Sequence, residues 1–175
     1  LSTGMMKSVG IFCWTLIFSL PLGLLVSFGR MSKNPVIRFL FKIYISIMRG
    51  TPLMLQLLVV FYGPYYLFGM SIGGAYRYIA ILIGFSVNYA AYFAEIYRAG
   101  IESIPVGQYE AAEVLGYSKA QTFVKIILPQ AVRNILPALG NEFIMMLKET
   151  SLASTFFLGD IMTSYLIVKG VSYLT

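Results

Sequence analysis

SVGIFCWTLIFSLPLGLLVSFG, residues 8–29, separates Lys7 from Arg30 without a single charge. As an α-helix it is roughly 33 Å long, enough to cross a hydrocarbon core of about 30 Å. A cleavable secretory signal has a shorter apolar region, about 7–15 residues. This run also carries Pro21 and Gly23 and leads directly into further apolar segments. Residues 50–76 and 78–94 are likewise uncharged. Of the 175 residues, 58% are hydrophobic and 11% charged, against about 45–50% and about 25% in a soluble globular domain. Polar groups this sparse cannot cover a water-exposed surface, so the chain reads as an all-α integral membrane protein.

Composition also excludes chemistry. There is no histidine and only one cysteine, Cys13, so an internal disulfide and histidine-based metal or acid–base chemistry are ruled out. Cys13 lies within the first span and reads as a packing residue. No nucleophile–base pair or metal-ligand set stands out, so no catalytic or metal-binding residue is expected. The net charge of +6 reflects basic loops at a membrane surface rather than nucleic-acid binding.

Spans are expected near 9–28, 51–66, 76–100 and 130–147. Arg38 and Lys42, four apart in NPVIRFLFKIYISIMRG (34–50), suggest a helix lying at the membrane surface with its long cations snorkelling to water. Thr51-Pro52 opens the second span, with Thr51 as N-cap and Pro52 at the first helical position. Gly69–Gly74 reads as a turn, and Tyr62, Tyr65, Tyr66, Tyr76 and Tyr78 around it as an interfacial aromatic belt, with a cation–π site as the other reading. Glu95, Arg98 and Glu102 share one helical face and can pair as the third span ends. Ser118 caps a further helix that Pro129 is expected to stop. Residues 148–175 read as a mixed segment. Arg30, Lys33, Arg38, Lys42 and Arg49, with Arg98, Lys119, Lys125 and Arg133, are nine of the thirteen Lys and Arg residues. The side that holds them is expected to be cytoplasmic.

On that side lies QYEAAEVLGYSK, residues 108–119, a short amphipathic helix at about 107–116 ended by Gly116. Ala111, Val114 and Leu115 share a face, and Glu110 and Glu113 are expected toward the N-terminal end, where the helix dipole favours acids. The wider spacing is more specific: Glu110-Ala111-Ala112, three residues, Gly116, nine residues, Ile126, one residue, Leu128-Pro129. It resembles the EAA loop of permease subunits of bacterial ABC importers. RGTPLMLQL (49–57), AEIYRAGIESIP (94–105), ILPQAVRNILPALGNEF (127–143) and LKETSLAS (147–154) resemble the polar amino acid uptake branch.

The resemblance implies a polytopic helical bundle of the type I ABC importer permease kind, with a family core of five spans. Four are visible here, and a terminal span is expected to be missing. It implies that Glu110, Ala111, Ala112 and Gly116 form a coupling helix that docks on a separate ABC ATPase subunit. It also implies ATP and Mg on that partner, an extracytoplasmic amino acid-binding protein, and a bacterial inner-membrane location among membrane lipid. A second permease copy is needed to enclose a route, and a homodimer is expected. The chain has no GxxxxGK[ST] phosphate loop of its own, so no cofactor is expected in it.

Ionisable residues inside a membrane are expensive and point to function. Glu142 lies inside the fourth span; it either faces cargo or pairs with a cation such as Arg133, Lys148 or one from a neighbouring helix. Asp160 is a cargo ligand or a solvated helix cap. Glu149, seven residues beyond Glu142, pairs with Lys148 or meets outer-side water. Asn88, Gln56 and Asn141 either hold the ammonium and carboxylate of an amino acid or make interhelical hydrogen bonds. Carboxylates facing a cavity suit a cationic amino acid such as arginine, lysine or histidine. Glutamine or glutamate is the alternative cargo, and an ion-coupled secondary transporter the alternative class.

Overall fold

A computed structural model describes residues 2–69 and 74–157. Their order is α1 (Ser2–Arg30), α2 (Pro35–Gly50), α3 (Leu53–Phe68), α4 (Gly74–Glu102), α5 (Val106–Val114), α6 (Lys119–Thr122), a π turn (Phe123–Ile127) and α7 (Leu128–Phe157). Among the described residues, α1 and α4 are each long and apolar enough to cross a membrane. The uncharged runs at 8–29 and 78–94 therefore fall inside single helices.

The axis of the bundle is the α1–α4 seam. Ile11, Thr15, Ser19 and Ser27 are buried in it, spaced by fours or multiples of four, which places them on one helical ridge. Gly23 continues that ridge. A β-carbon there would sit 2.8 Å from Phe93 Cβ and 3.2 Å from the Ala90 carbonyl. Ala90, Ala91 and Ala94 supply the matching small surface on α4. Small residues on both sides let the backbones approach, the usual source of helix affinity where lipid removes the hydrophobic drive. Among the described residues the buried hydroxyls of Thr15, Ser19, Ser27 and Ser86 have no hydrogen-bond partner, so their small size is what the seam uses. Ser19→Ala and Ser27→Ala are accordingly expected to be neutral or stabilising in thermal unfolding of the purified protein, because each removes an unsatisfied polar group. A clear loss of stability in either variant would show that the hydroxyls matter.

The strip at 34–50 is a helix, capped by the Asn34 side chain, which accepts from the Val36 N–H at 2.9 Å. It does not lie apart from the bundle as a surface helix. Phe41 packs on Gly29, Ile45 clusters with Val26, Ala91 and Ala94, and the Tyr44 hydroxyl donates to the Val87 carbonyl. This register runs α2 antiparallel to α1 and up to the level of Asn88, midway along α4. There the chain turns by 106° into α3. Together α2 and α3 are apolar enough for one membrane segment, bent in the middle as a broken span or a re-entrant loop is. Of the cations on the polar strip of α2, Lys42 and Arg49 line hollows shared with α4, whereas Arg38 is exposed outside them.

Two capping expectations are corrected at this break. Thr51 ends α2 rather than starting α3: its N–H and hydroxyl both donate to the Ile47 carbonyl, at 3.1 and 2.7 Å. Pro52 is extended and precedes α3 without a side-chain cap. The residue before a proline is driven out of the helical region, which is why Thr51 cannot belong to a continuous helix.

Pro129 does not stop a helix either. Ser118 and Gln121 form a reciprocal capping box that starts α6, and the helix then widens into the π turn before continuing as α7. The Leu128 N–H bonds back to the Phe123 carbonyl, five residues away. The missing Pro129 donor thus falls where the hydrogen-bond ladder is already changing register. The continuous helix also takes in residues 148–157, the first part of the segment expected to be mixed.

Candidate functional site

The α2–α3 break positions the polar groups. Ending α2 leaves the Met48 carbonyl without a helical donor, and two side-chain amides reach it: Gln56 Nε2 at 2.9 Å and Asn88 Nδ2 at 3.1 Å. Asn88 Nδ2 also donates to Gln56 Oε1 at 2.8 Å, and Gln56 Nε2 to Thr51 Oγ1 at 2.7 Å. Asn88 is buried. Gln56 and Asn88 therefore use their amides in an interhelical clamp at the elbow, the second of the two roles their sequence context allows. Neither lines the groove beside Glu142.

The clamp sets Arg49 at the end of α2, with its guanidinium carbon 5.4 Å from the centre of the Tyr92 ring. Cation–π attraction of this kind fixes an arginine without using its hydrogen-bond donors on an anion. Around it lies a groove of about 370 Å³ between α2, α4 and α7, lined by Arg49, Tyr92, Glu95, Ser103, Asn134 and Glu142 among others. That volume is at the low end of the range for small-molecule pockets, about 300–1,000 Å³. A second hollow of about 440 Å³ shares Arg49, Tyr92 and Glu95 and continues past Lys42 to Arg30. Together they place charges of both signs along a face shared by α1, α2, α4 and α7 of a largely apolar bundle. A larger hollow of about 570 Å³ lies between α1, α4 and α7, but Leu24, Phe28, Val132 and Leu136 make it almost wholly apolar. A charged cargo has no partner there.

Charges within the polar groove are unequally engaged. Glu95 and Glu102 both pair with Arg98, as their spacing implies. Glu142 pairs with neither Arg133 nor Lys148; the cation beside it comes from another helix, Arg49, which lines the same groove. Seven residues on, Glu149 accepts a 2.6 Å hydrogen bond from the Tyr89 hydroxyl rather than pairing with Lys148. Tyr89 itself is buried and stacked on Phe85. Asn141 is exposed on α7 and does not line the groove, while Asp160 lies outside the described residues. Arg49, Tyr92 and Tyr89 do not stand out from sequence as site residues. The available signal is an arginine separated by Gly50 alone from the Thr51-Pro52 break that opens a long apolar stretch, since interrupted helices mark transport sites.

At one end of the bundle, α5 is a separate feature. Ala112 is 1% exposed against the rest of the chain, whereas Val114 and Leu115 are 88% and 73% exposed. Glu110 and Ala111 are also on the exposed side. Gly116, at φ +80°, completes a Schellman cap: its N–H reaches the Glu113 carbonyl at 2.9 Å, and the Tyr117 N–H reaches the Ala112 carbonyl at 3.0 Å. The helix begins at Val106 and its first turn holds no acidic residue. Glu110 and Glu113 are therefore not placed to meet the helix dipole, contrary to the sequence expectation. Gln130 Nε2 on α7 bonds Gln108 Oε1 at 3.3 Å, and Asn134 Nδ2 bonds Ser103 Oγ at 2.9 Å. These bonds fasten the α5 end of the bundle to the start of the helix that carries Glu142.

A sharply bent helix pair, a charged groove and an exposed helix tied to it are features that a membrane transport subunit uses. The chain belongs to the family of binding-protein-dependent transport system inner membrane components, whose description matches residues 19–173. It is 40% identical over 157 residues to the "Putative glutamine transport system permease protein GlnP" of Rickettsia bellii, covering 90% of this chain and 71% of that one. It is 38% identical over 161 residues to the L-cystine transport system permease protein TcyB of Bacillus subtilis, covering 92% and 67%. A solved chain described as the crystal structure of an amino acid ABC transporter with histidines superposes with a TM-score of 0.83 at 37% identity, covering 98% of this chain and 78% of that chain.

Proposed function

We propose that the chain is the permease subunit of an ATP-driven amino acid importer in a bacterial inner membrane. In this reading it forms half of the translocation route, and α5 docks on a separate ATPase subunit. The observation that carries the reading is α5, which offers Val114 and Leu115 to a partner while Gln108 and Ser103 tie its end of the bundle to α7. A push delivered at α5 then moves the start of the helix that bears Glu142. ATP and Mg bind the ATPase. A second copy of the permease closes the route opposite the α2–α4–α7 face, and an extracytoplasmic binding protein delivers the cargo. Membrane lipid covers the exposed apolar side chains of α1 and α3.

Glu142 and Glu149 on one side of α7 support a cationic amino acid as cargo, because a desolvated carboxylate gains from an opposite charge. A second reading, a neutral amino acid such as glutamine, is favoured by Arg49, whose charge offsets Glu142. Uptake into liposomes carrying the full-length permease, its ATPase and its binding protein, with ATP inside, separates them. Labelled arginine, histidine, glutamine and glutamate form the panel. Preference for arginine or histidine, with weaker uptake after Glu142→Gln, is expected. Preference for glutamine, or unchanged arginine affinity in Glu142→Gln, would remove Glu142 as the charge-reading group. No ATP-dependent uptake of any amino acid would remove the importer reading.

A further inference from the structure

From the geometry of the polar groove we infer that Arg49 is a specificity-determining residue that seats the α-carboxylate of the transported amino acid, opposite Glu142, which seats its cationic end. The inference rests on the amino acid reading above and adds the group that recognises the part common to every amino acid. An α-amino acid is a zwitterion, so a site that selects it needs one fixed cation and one fixed anion within reach of the same ligand. The groove of about 370 Å³ brings Arg49 and Glu142 together from helices distant in sequence.

Their availability distinguishes them from the other charges in the groove. Glu95 is held by Arg98. Among the described residues Arg49 has no ion pair; it is held by the Tyr92 ring, which leaves its planar fork of N–H donors for a carboxylate. Arginine matches a carboxylate with two parallel bonds, a geometry that lysine cannot reproduce. Arg49 is also supported from behind. Met48, its neighbour in sequence, is gripped by Gln56 and Asn88, and Ile45, one turn back, is buried against Ala91 and Ala94. The guanidinium is thus carried on a rigid elbow rather than a mobile loop, as a selective site requires.

Binding to the permease–ATPase complex without the binding protein isolates this contribution. The probes are arginine with agmatine, its analogue lacking the carboxylate, and glutamine with 4-aminobutanamide, related in the same way. The unaltered complex is expected to bind whichever amino acid it prefers at least roughly tenfold more tightly than the decarboxylated analogue, the effect of one charge-assisted pair. Arg49→Gln is expected to close that gap by weakening the amino acid alone, and Arg49→Lys to leave an intermediate gap. Retained binding of the analogue shows that the variant is folded. A gap that survives Arg49→Gln, or no gap in the unaltered complex, overturns the inference. ATP-dependent uptake by the unaltered importer stands apart from either result: if it holds while the gap survives, the inference alone falls.

Discussion

ATP-driven uptake is expected to fall by about tenfold or more when Gly116 is replaced by tryptophan, with the helical bundle and the ATPase activity of the assembled complex retained. Gly116 has φ +80°, and a β-carbon there would meet nothing within 4 Å, so no packing within the chain is lost. A non-glycine residue in this left-handed conformation costs about 1–2 kcal/mol, and about 1.4 kcal/mol is already tenfold in an equilibrium. The strain falls on the cap that ends α5, and the indole adds bulk beside the exposed Val114 and Leu115. Uptake and ATP hydrolysis measured on the same liposomes check it. Hydrolysis that continues while uptake stops is the expected pattern; normal uptake would remove the docking role of α5.

Gly23→Leu is expected to destabilise the α1–α4 seam strongly. Its side chain would need space held by Phe93 Cβ at 2.8 Å, the Ala90 carbonyl at 3.2 Å and the Ala94 nitrogen at 3.3 Å. Backbone atoms cannot rotate aside, so α1 must move off α4. Overpacking of a well-filled core costs about 1–3 kcal/mol where side chains can adjust, and here the neighbours include main chain. Gly140→Leu on α7 is the matched control, since nothing lies within 4 Å of that position. Thermal unfolding in detergent should show a clear drop for Gly23→Leu and little change for Gly140→Leu. Equal effects would mean that leucine is penalised for reasons other than the seam.

The helices are legible in the sequence because their signals are local. A run without charge, an Asn or Ser before a helix, and Gly116 after one each specify their element through neighbours in sequence, and α1, α4 and α5 follow. The family membership is legible from the EAA spacing for the same reason. What escapes depends on partners distant in the chain. Thr51 reads as an N-cap, and only the 106° turn makes it the end of α2. Gln56 and Asn88 carry the right atoms for cargo, yet the Met48 carbonyl, freed by that turn, takes them. Arg49 reads as one of several surface cations because the carboxylate and ring that give it meaning sit on α7 and α4. The pairing of Glu95, Arg98 and Glu102, all on one helix, is readable; the juxtaposition of Arg49 and Glu142 is not.

The π turn at Phe123–Ile127 sets the angular phase of everything after it. One residue of an α-helix advances the screw by about 100°, and a π turn accommodates one residue more than an α turn does. The face that α7 shows to α4 is therefore rotated relative to α6 by an amount that the turn controls. Were the turn to tighten into regular α-helix, the whole of α7 would turn about its axis, carrying Glu142 and Glu149 together with the buried Ala131, Ile135 and Met146. The packed face of α7 and its two carboxylates thus share a single angular setting, fixed at one turn beside α5.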